Sequence, residues 1–130
     1  MTGPDERHTI VQTRVQLSQF MSVVNANVLG NIHGGEIMKL VDEAGALAAM
    51  RHARNVVVTV AMDSMSFMEP IHVGDVVIVE AELTYVGTTS MEAHVRVTCE
   101  HPLTGERKLT NSAYLVYVAI DRAGRPIPVP

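Results

Sequence analysis

From Ile10 to Leu17, Val11, Thr13, Val15 and Leu17 alternate with Gln12, Arg14 and Gln16, a period of two that predicts a half-exposed strand. A polar stretch follows, Asn25-Ala-Asn27-Val-Leu-Gly30-Asn31-Ile-His33-Gly34-Gly35, whose side chains favour turns and caps over regular structure. From Glu36 to about Arg54 the period becomes helical, with Ile37, Leu40, Val41, Ala44, Leu47 and Ala48 recurring three and four residues apart. Between Ala44 and Met50 apolar or very small residues occupy nearly the whole circumference, the pattern of a helix enclosed by other elements. Gly45 weakens a helix by roughly 1 kcal/mol against alanine, so it predicts close approach by another backbone.

Beyond the helix the chain is β in character. Val56 to Ser66 reads as a strand, Glu69-Pro70-Ile-His-Val-Gly74-Asp75 as a turn, and Val76 to Val86 as a second strand with Val77, Val79, Ala81, Leu83 and Tyr85 on one face. Ser90 to Glu100 sets Met91, Ala93, Val95, Val97 and Cys99 against Glu92, His94, Arg96, Thr98 and Glu100, which predicts one wet face and places Cys99 in the core. Pro102-Leu-Thr-Gly105 signals a hairpin into Lys108 to Asp121, whose middle, Ala113 to Ile120, is apolar on both faces. One helix covers only one face of a sheet, so this strand predicts a second subunit on the other. The prolines of Arg125-Pro-Ile-Pro-Val-Pro130 rule the tail out as a central strand. One long central helix wrapped by a curved antiparallel sheet of about five strands is an α+β architecture, the hotdog arrangement.

With 130 residues and 47% hydrophobic content, the chain fits a single domain, 1–130, with a core that needs no staples. Cys99 is the one cysteine, so no internal disulfide is possible and a reducing, cytoplasmic location is expected. The charged start, Met1 to His8, lacks an apolar stretch of the kind an export signal needs, and the run Val56 to Met62 is far short of a membrane span. A net charge of −4 with ten scattered Lys and Arg, and five separated aromatic residues, argue against nucleic acid as a partner.

The familiar catalytic signatures, a nucleophile elbow, a phosphate-binding glycine loop, zinc-spaced Cys and His, and a dinucleotide fingerprint, do not occur. His33, His52, His72, His94 and His101 share no ligand spacing and read as surface histidines. Asp42 stands out because it interrupts a helix that is apolar or tiny-sided beyond it. A buried carboxylate there would be a functional group; the alternative is a solvated aspartate beside Lys39. Glu43, four residues after Lys39, has the stronger claim to a surface pair. Gly34-Gly35 opens the helix, and free N–H donors at a helix start can hold a developing oxyanion; the alternative is that the glycines, with Asn31 or His33, only shape the helix start. Asp42 lies about two turns, ~10 Å, further along the axis, so a site uniting the two would need a second chain.

The run Asn25 to Gly45, with Val57-Val-Thr59-Val, Phe67-Met-Glu-Pro70, Val73-Gly-Asp75, Thr89-Ser-Met-Glu92, Leu103-Thr-Gly105, Lys108-Leu-Thr-Asn111 and Tyr117-Val-Ala119, resembles the hotdog acyl-CoA thioesterases, above all the brain-type cytosolic acyl-CoA hydrolase and its bacterial relatives. The resemblance implies hydrolysis of acyl-CoA to a free acid and CoA, with no cofactor and no metal. It makes Asn27 and Asp42 the catalytic pair, contributed by opposite subunits to a site at a homodimer interface, with Gly35 N–H holding the oxyanion. Asp42 would serve as general base toward water or attack the thioester directly. CoA would lie along Thr59, Val60, Ala61 and Met62 and beside Thr89, Ser90 and Met91, and the dimers would assemble into a hexamer. Two other readings attach to the fold: a hydratase or dehydratase of thioester-linked acids using His33, and a non-catalytic acyl-CoA-binding module.

Overall fold

The computed structural model describes residues 13–63 and 69–130. Strand β1 (Val15–Phe20) leads through a 3-10 turn (Val23–Asn25) to helix α1 (Gly34–Ala53), followed by β2 (Val57–Met62), β3 (Val76–Val86), β4 (Ser90–His101) and β5 (Glu106–Ala119). The strands form one antiparallel sheet in the order β1-β3-β4-β5-β2. The predicted first strand starts later and runs past Leu17 to Phe20, the predicted second ends at Met62, and residues 10–12 and 64–66 of those two predictions lie outside the described residues.

Helix α1 packs against all five strands. A flat sheet of five strands is about 20 Å across, near twice the diameter of a helix with its side chains, so the sheet must curl round α1. This is the hotdog arrangement. Ile37, Val41, Ala44 and Ala48 of α1 share a buried core with Val77, Val79 and Leu83 of β3, Val95 and Val97 of β4, and Leu115 and Tyr117 of β5. The helix ends at Arg54, which adopts the left-handed conformation (φ 56°) and returns its N–H to Met50 O at 2.8 Å.

Four expectations need correction. Within one chain α1 is covered on its sheet side only: Ala46 and Leu47 are half-buried and Met50 is exposed. Tyr85 is 63% exposed because the register shifts between Leu83, opposite Ala93, and Tyr85, opposite Glu92; the extra residue, Thr84, puts Tyr85 on the outer face and Val86 on the inner one. Cys99 packs against the core but is only half-buried, its Sγ 3.3 Å from Asp75 Oδ2. His52 is buried, not on the surface, because the tail folds back over the helix end and brings Pro130 O to 2.7 Å from its Nε2. The tail forms no strand; it is held by Ile127 N–H to Ala119 O (2.9 Å) and Val129 N–H to Thr88 O (2.8 Å). Among the described residues no helix is long and apolar enough to cross a membrane.

Candidate active site

Asp42 emerges from α1 toward the β2–β5 edge of the sheet. Its Oδ1 accepts hydrogen bonds from Thr59 Oγ1 at 2.7 Å and from the Tyr117 hydroxyl at 3.0 Å, and that hydroxyl also lies 3.1 Å from the Asp42 main-chain oxygen. Among the described residues Oδ2 bonds nothing, so one carboxylate oxygen is anchored and the other is open. Burial, and after it the Asp42 charge, raises the pKa of Tyr117 far above the ordinary phenol range, so the tyrosine is a fixed proton donor. Asp42 is half-buried, between the two sequence readings of it: no ion pair joins it to Lys39 among the described residues, and its carboxylate turns to the sheet while staying partly exposed.

Asn27 lies in the loop before α1. Its Oδ1 accepts from Leu29 N–H at 2.9 Å and Asn31 N–H at 3.2 Å, while its own N–H reaches Asn31 O at 2.7 Å and Gly30, at φ 82°, turns the chain between them. Two N–H donors on one oxygen fix the orientation of the carboxamide. Nδ2 therefore faces outward, and among the described residues it bonds nothing. Asn25, buried, ties this loop to the helix: its Nδ2 donates to Glu36 Oε2 at 3.3 Å and its Oδ1 accepts from Ser22 N–H and Oγ.

At the helix start Glu36 N–H returns to His33 O at 3.0 Å, and the His33 side chain makes no capping bond. The N–H groups of Gly34 and Gly35 have no partner among the described residues, so they are free donors at the positive end of the dipole. A Cβ on Gly35 would meet nothing within 4 Å, so crowding within the chain does not demand glycine there; the donors stand open to an approaching molecule. Asn27 and Gly34 line one cavity of about 370 Å³ with Asn31, Ile32, Ile37 and Ile71. Asp42 is not part of it. One chain thus brings Asn27 to the helix start and leaves Asp42 about two turns away.

Of the residues expected along CoA, Thr59 holds Asp42, while Val60 and Ala61 are exposed on β2, which among the described residues pairs with β5 alone and has its outer edge free. Val60 is the extra residue of a bulge between the pairs Thr59–Tyr117 and Ala61–Val116. Met62 is half-buried, and Thr89 and Ser90 are half-exposed at the β3–β4 turn. Met91 is a correction: it is fully buried in the core, so its side chain cannot touch a ligand. Sequence reasoning missed Tyr117, whose only signal was a hydroxyl in an apolar strand. A second cavity, of about 240 Å³, contains Glu69, His72, Asp75, Cys99 and Lys108, but the Cys99 thiol is pushed up to about 12 by burial and by Asp75 and is no nucleophile near neutral pH. Among the described residues no three His, Cys, Asp or Glu side chains are placed to hold a metal ion.

Residues 29–106 match the family model of the thioesterase superfamily, and the chain belongs to that superfamily. It is 42% identical over 130 residues to an uncharacterized acyl-CoA thioester hydrolase of Bacillus subtilis, YkhA, covering 100% of this chain and 75% of that one. It is 40% identical over 113 residues to the cytosolic acyl coenzyme A thioester hydrolase of Mus musculus, covering 82% of this chain and 30% of that one, so it spans under a third of the mouse protein. Among solved structures, a hexameric acyl-CoA thioesterase superposes with a TM-score of 0.91 at 40% identity, over 95% of this chain and 80% of that one. The acyl-CoA hydrolase of Staphylococcus aureus, in complex with butyryl coenzyme A, coenzyme A and coenzyme A disulfide, superposes at 0.87 with 32% identity, over 93% and 74%. Structures of the Staphylococcus aureus enzyme with an aspartate, a threonine or an asparagine replaced by alanine also match.

Proposed function

We propose that this chain hydrolyses acyl-CoA thioesters to CoA and a carboxylic acid, at sites shared between two copies of the chain. The observation that carries the reading is the Asp42 carboxylate, anchored through one oxygen and open at the other. The Staphylococcus aureus variants add support: the asparagine, aspartate and threonine replaced there are spaced along that chain as Asn27, Asp42 and Thr59 are here.

In this mechanism Asp42 Oδ2 takes a proton from water, and the resulting hydroxide attacks the thioester carbonyl. Gly34 and Gly35 N–H and the outward Nδ2 of Asn27 hold the oxyanion as it forms. The C–S bond then breaks, and Asp42 returns its proton to the departing CoA thiolate. Because Asn27 and Asp42 are apart in one chain, each site takes Asp42 from one subunit and Asn27 from the other. Val23, Val24, Val28 and Leu29, beside Asn27, are strongly exposed in the single chain, and an apolar patch of that kind suits a subunit interface. The hexameric relative favours three such dimers. CoA runs along the free edge of β2, where backbone N–H and C=O groups are available, toward Thr89 and Ser90. The hydratase reading has less support, since the relatives that the chain matches are named thioester hydrolases.

Thiol release from a panel of acyl-CoAs of graded length tests the activity. Asp42→Ala and Asn27→Ala should each lower turnover on the order of 10²-fold or more; near-normal rates for both, across the panel, overturn the assignment.

A further inference from the structure

Tyr117 is the largest side chain that the core hides completely. A buried phenol hydroxyl finds a partner, and this one turns to Asp42, at 3.0 Å from Oδ1 and 3.1 Å from the main-chain oxygen, with the Thr59 hydroxyl beside it. The sheet register explains the convergence. Thr59 and Tyr117 face each other across the β2–β5 ladder, so both side chains rise from the same face toward the helix. There, both hydroxyls meet the same carboxylate oxygen.

The helix makes room at one point. Gly45 lies three residues after Asp42, on the same side of α1. A Cβ there would overlap the Tyr117 hydroxyl and stand 3.0 and 3.1 Å from two ring carbons. The glycine that the sequence assigns to the approach of a backbone instead admits a phenol.

We propose that Tyr117 is a positioning residue of the thioesterase site, its hydroxyl pinning Asp42 Oδ1 through the gap left at Gly45 so that Oδ2 alone faces the reacting water. The inference rests on Asp42 acting as proposed above. Thr59 by itself leaves the carboxylate free to pivot about one bond. The Tyr117 hydroxyl, held against both the side-chain and the main-chain oxygen of one residue, fixes the carboxylate relative to the helix. Tyr117 stays protonated throughout, so it orients the base and carries no proton in the reaction.

Steady-state thiol release by the full chain, with kcat and KM read separately, tests this. Tyr117→Phe keeps the ring and removes the hydroxyl, and kcat should fall about tenfold or more while KM stays within about twofold. Gly45→Ala should lower kcat with Tyr117 intact and add a much smaller loss in the Tyr117→Phe background, since the displaced hydroxyl is already gone. Circular dichroism checks that each variant folds. A Tyr117→Phe enzyme whose kcat is within about twofold of wild type, or whose loss lies in KM, overturns the proposal. If Asp42→Ala abolishes turnover in the same assay, the Asp42 assignment survives that outcome; an active Asp42→Ala overturns both. Fully multiplicative losses for Gly45→Ala and Tyr117→Phe remove the link between the two positions.

Discussion

The carboxamide of Asn27 can only donate toward a ligand, because Leu29 and Asn31 N–H already occupy its oxygen. Aspartate supports the same turn but presents an anion where the oxyanion forms. Asn27→Asp should therefore lose turnover on the order of 10²-fold with little change in melting temperature, a combination that thiol release and thermal unfolding read directly. An active Asn27→Asp enzyme would mean that Asn27 does not serve as a donor. At this scale the sequence was most informative about Asp42, whose place in an apolar helix sets it apart. It was silent about Tyr117: in sequence that residue is one more bulky side chain in an apolar strand, and its partner lies 75 positions away. The burial of the Met91 side chain was hidden for the opposite reason, since a match along the chain does not report which way a strand residue points.

Alternation along a strand predicts its faces only while the ladder stays regular. Val77 to Leu83 and Met91 to Val97 follow the pattern because their inward residues pack under α1. Tyr85 breaks it one residue past the Thr84 bulge, which no local pattern in the sequence announces. Cys99 keeps its inward face opposite Val77 and packs against the edge of the core, so alternation holds and burial is only partial. Helix α1 was legible almost to the residue from its 3.6-residue period, and its exposed outer side was not, since the sequence pattern does not separate cover by the same chain from cover by another. In the middle of β5, Leu115 is fully buried among residues of the core. Leu115→Ala should cost about 2–5 kcal/mol of stability in denaturant unfolding; a loss below about 1 kcal/mol would show that the sheet relaxes around the cavity.

The single chain leaves apolar side chains bare on its surface. Tyr114 is exposed on the outer side of β5, where the sequence predicts cover, and the loop bearing Asn27 ends in bare Val28 and Leu29. If each site draws Asn27 and Asp42 from different subunits, co-expressing Asp42→Ala with Asn27→Ala makes mixed dimers with one intact site and one doubly damaged site. With random pairing the mixture should regain about a quarter of wild-type activity per chain, although neither parent is active. No recovery in a preparation shown to contain mixed dimers would place the whole site within one chain. The strand order also reaches into the birth of the protein. Strand β2 leaves the ribosome soon after the helix, yet among the described residues its one neighbour in the sheet is β5, made only after β3 and β4. Thr59 therefore lacks the strand that carries Tyr117 until β5 has been made, and closing that long loop is a slow kind of contact to form. A nascent chain can build β1, β3 and β4 around the helix and still lack the Tyr117 hydroxyl beside Asp42; that contact waits for β5 to slide between two strands that are already there.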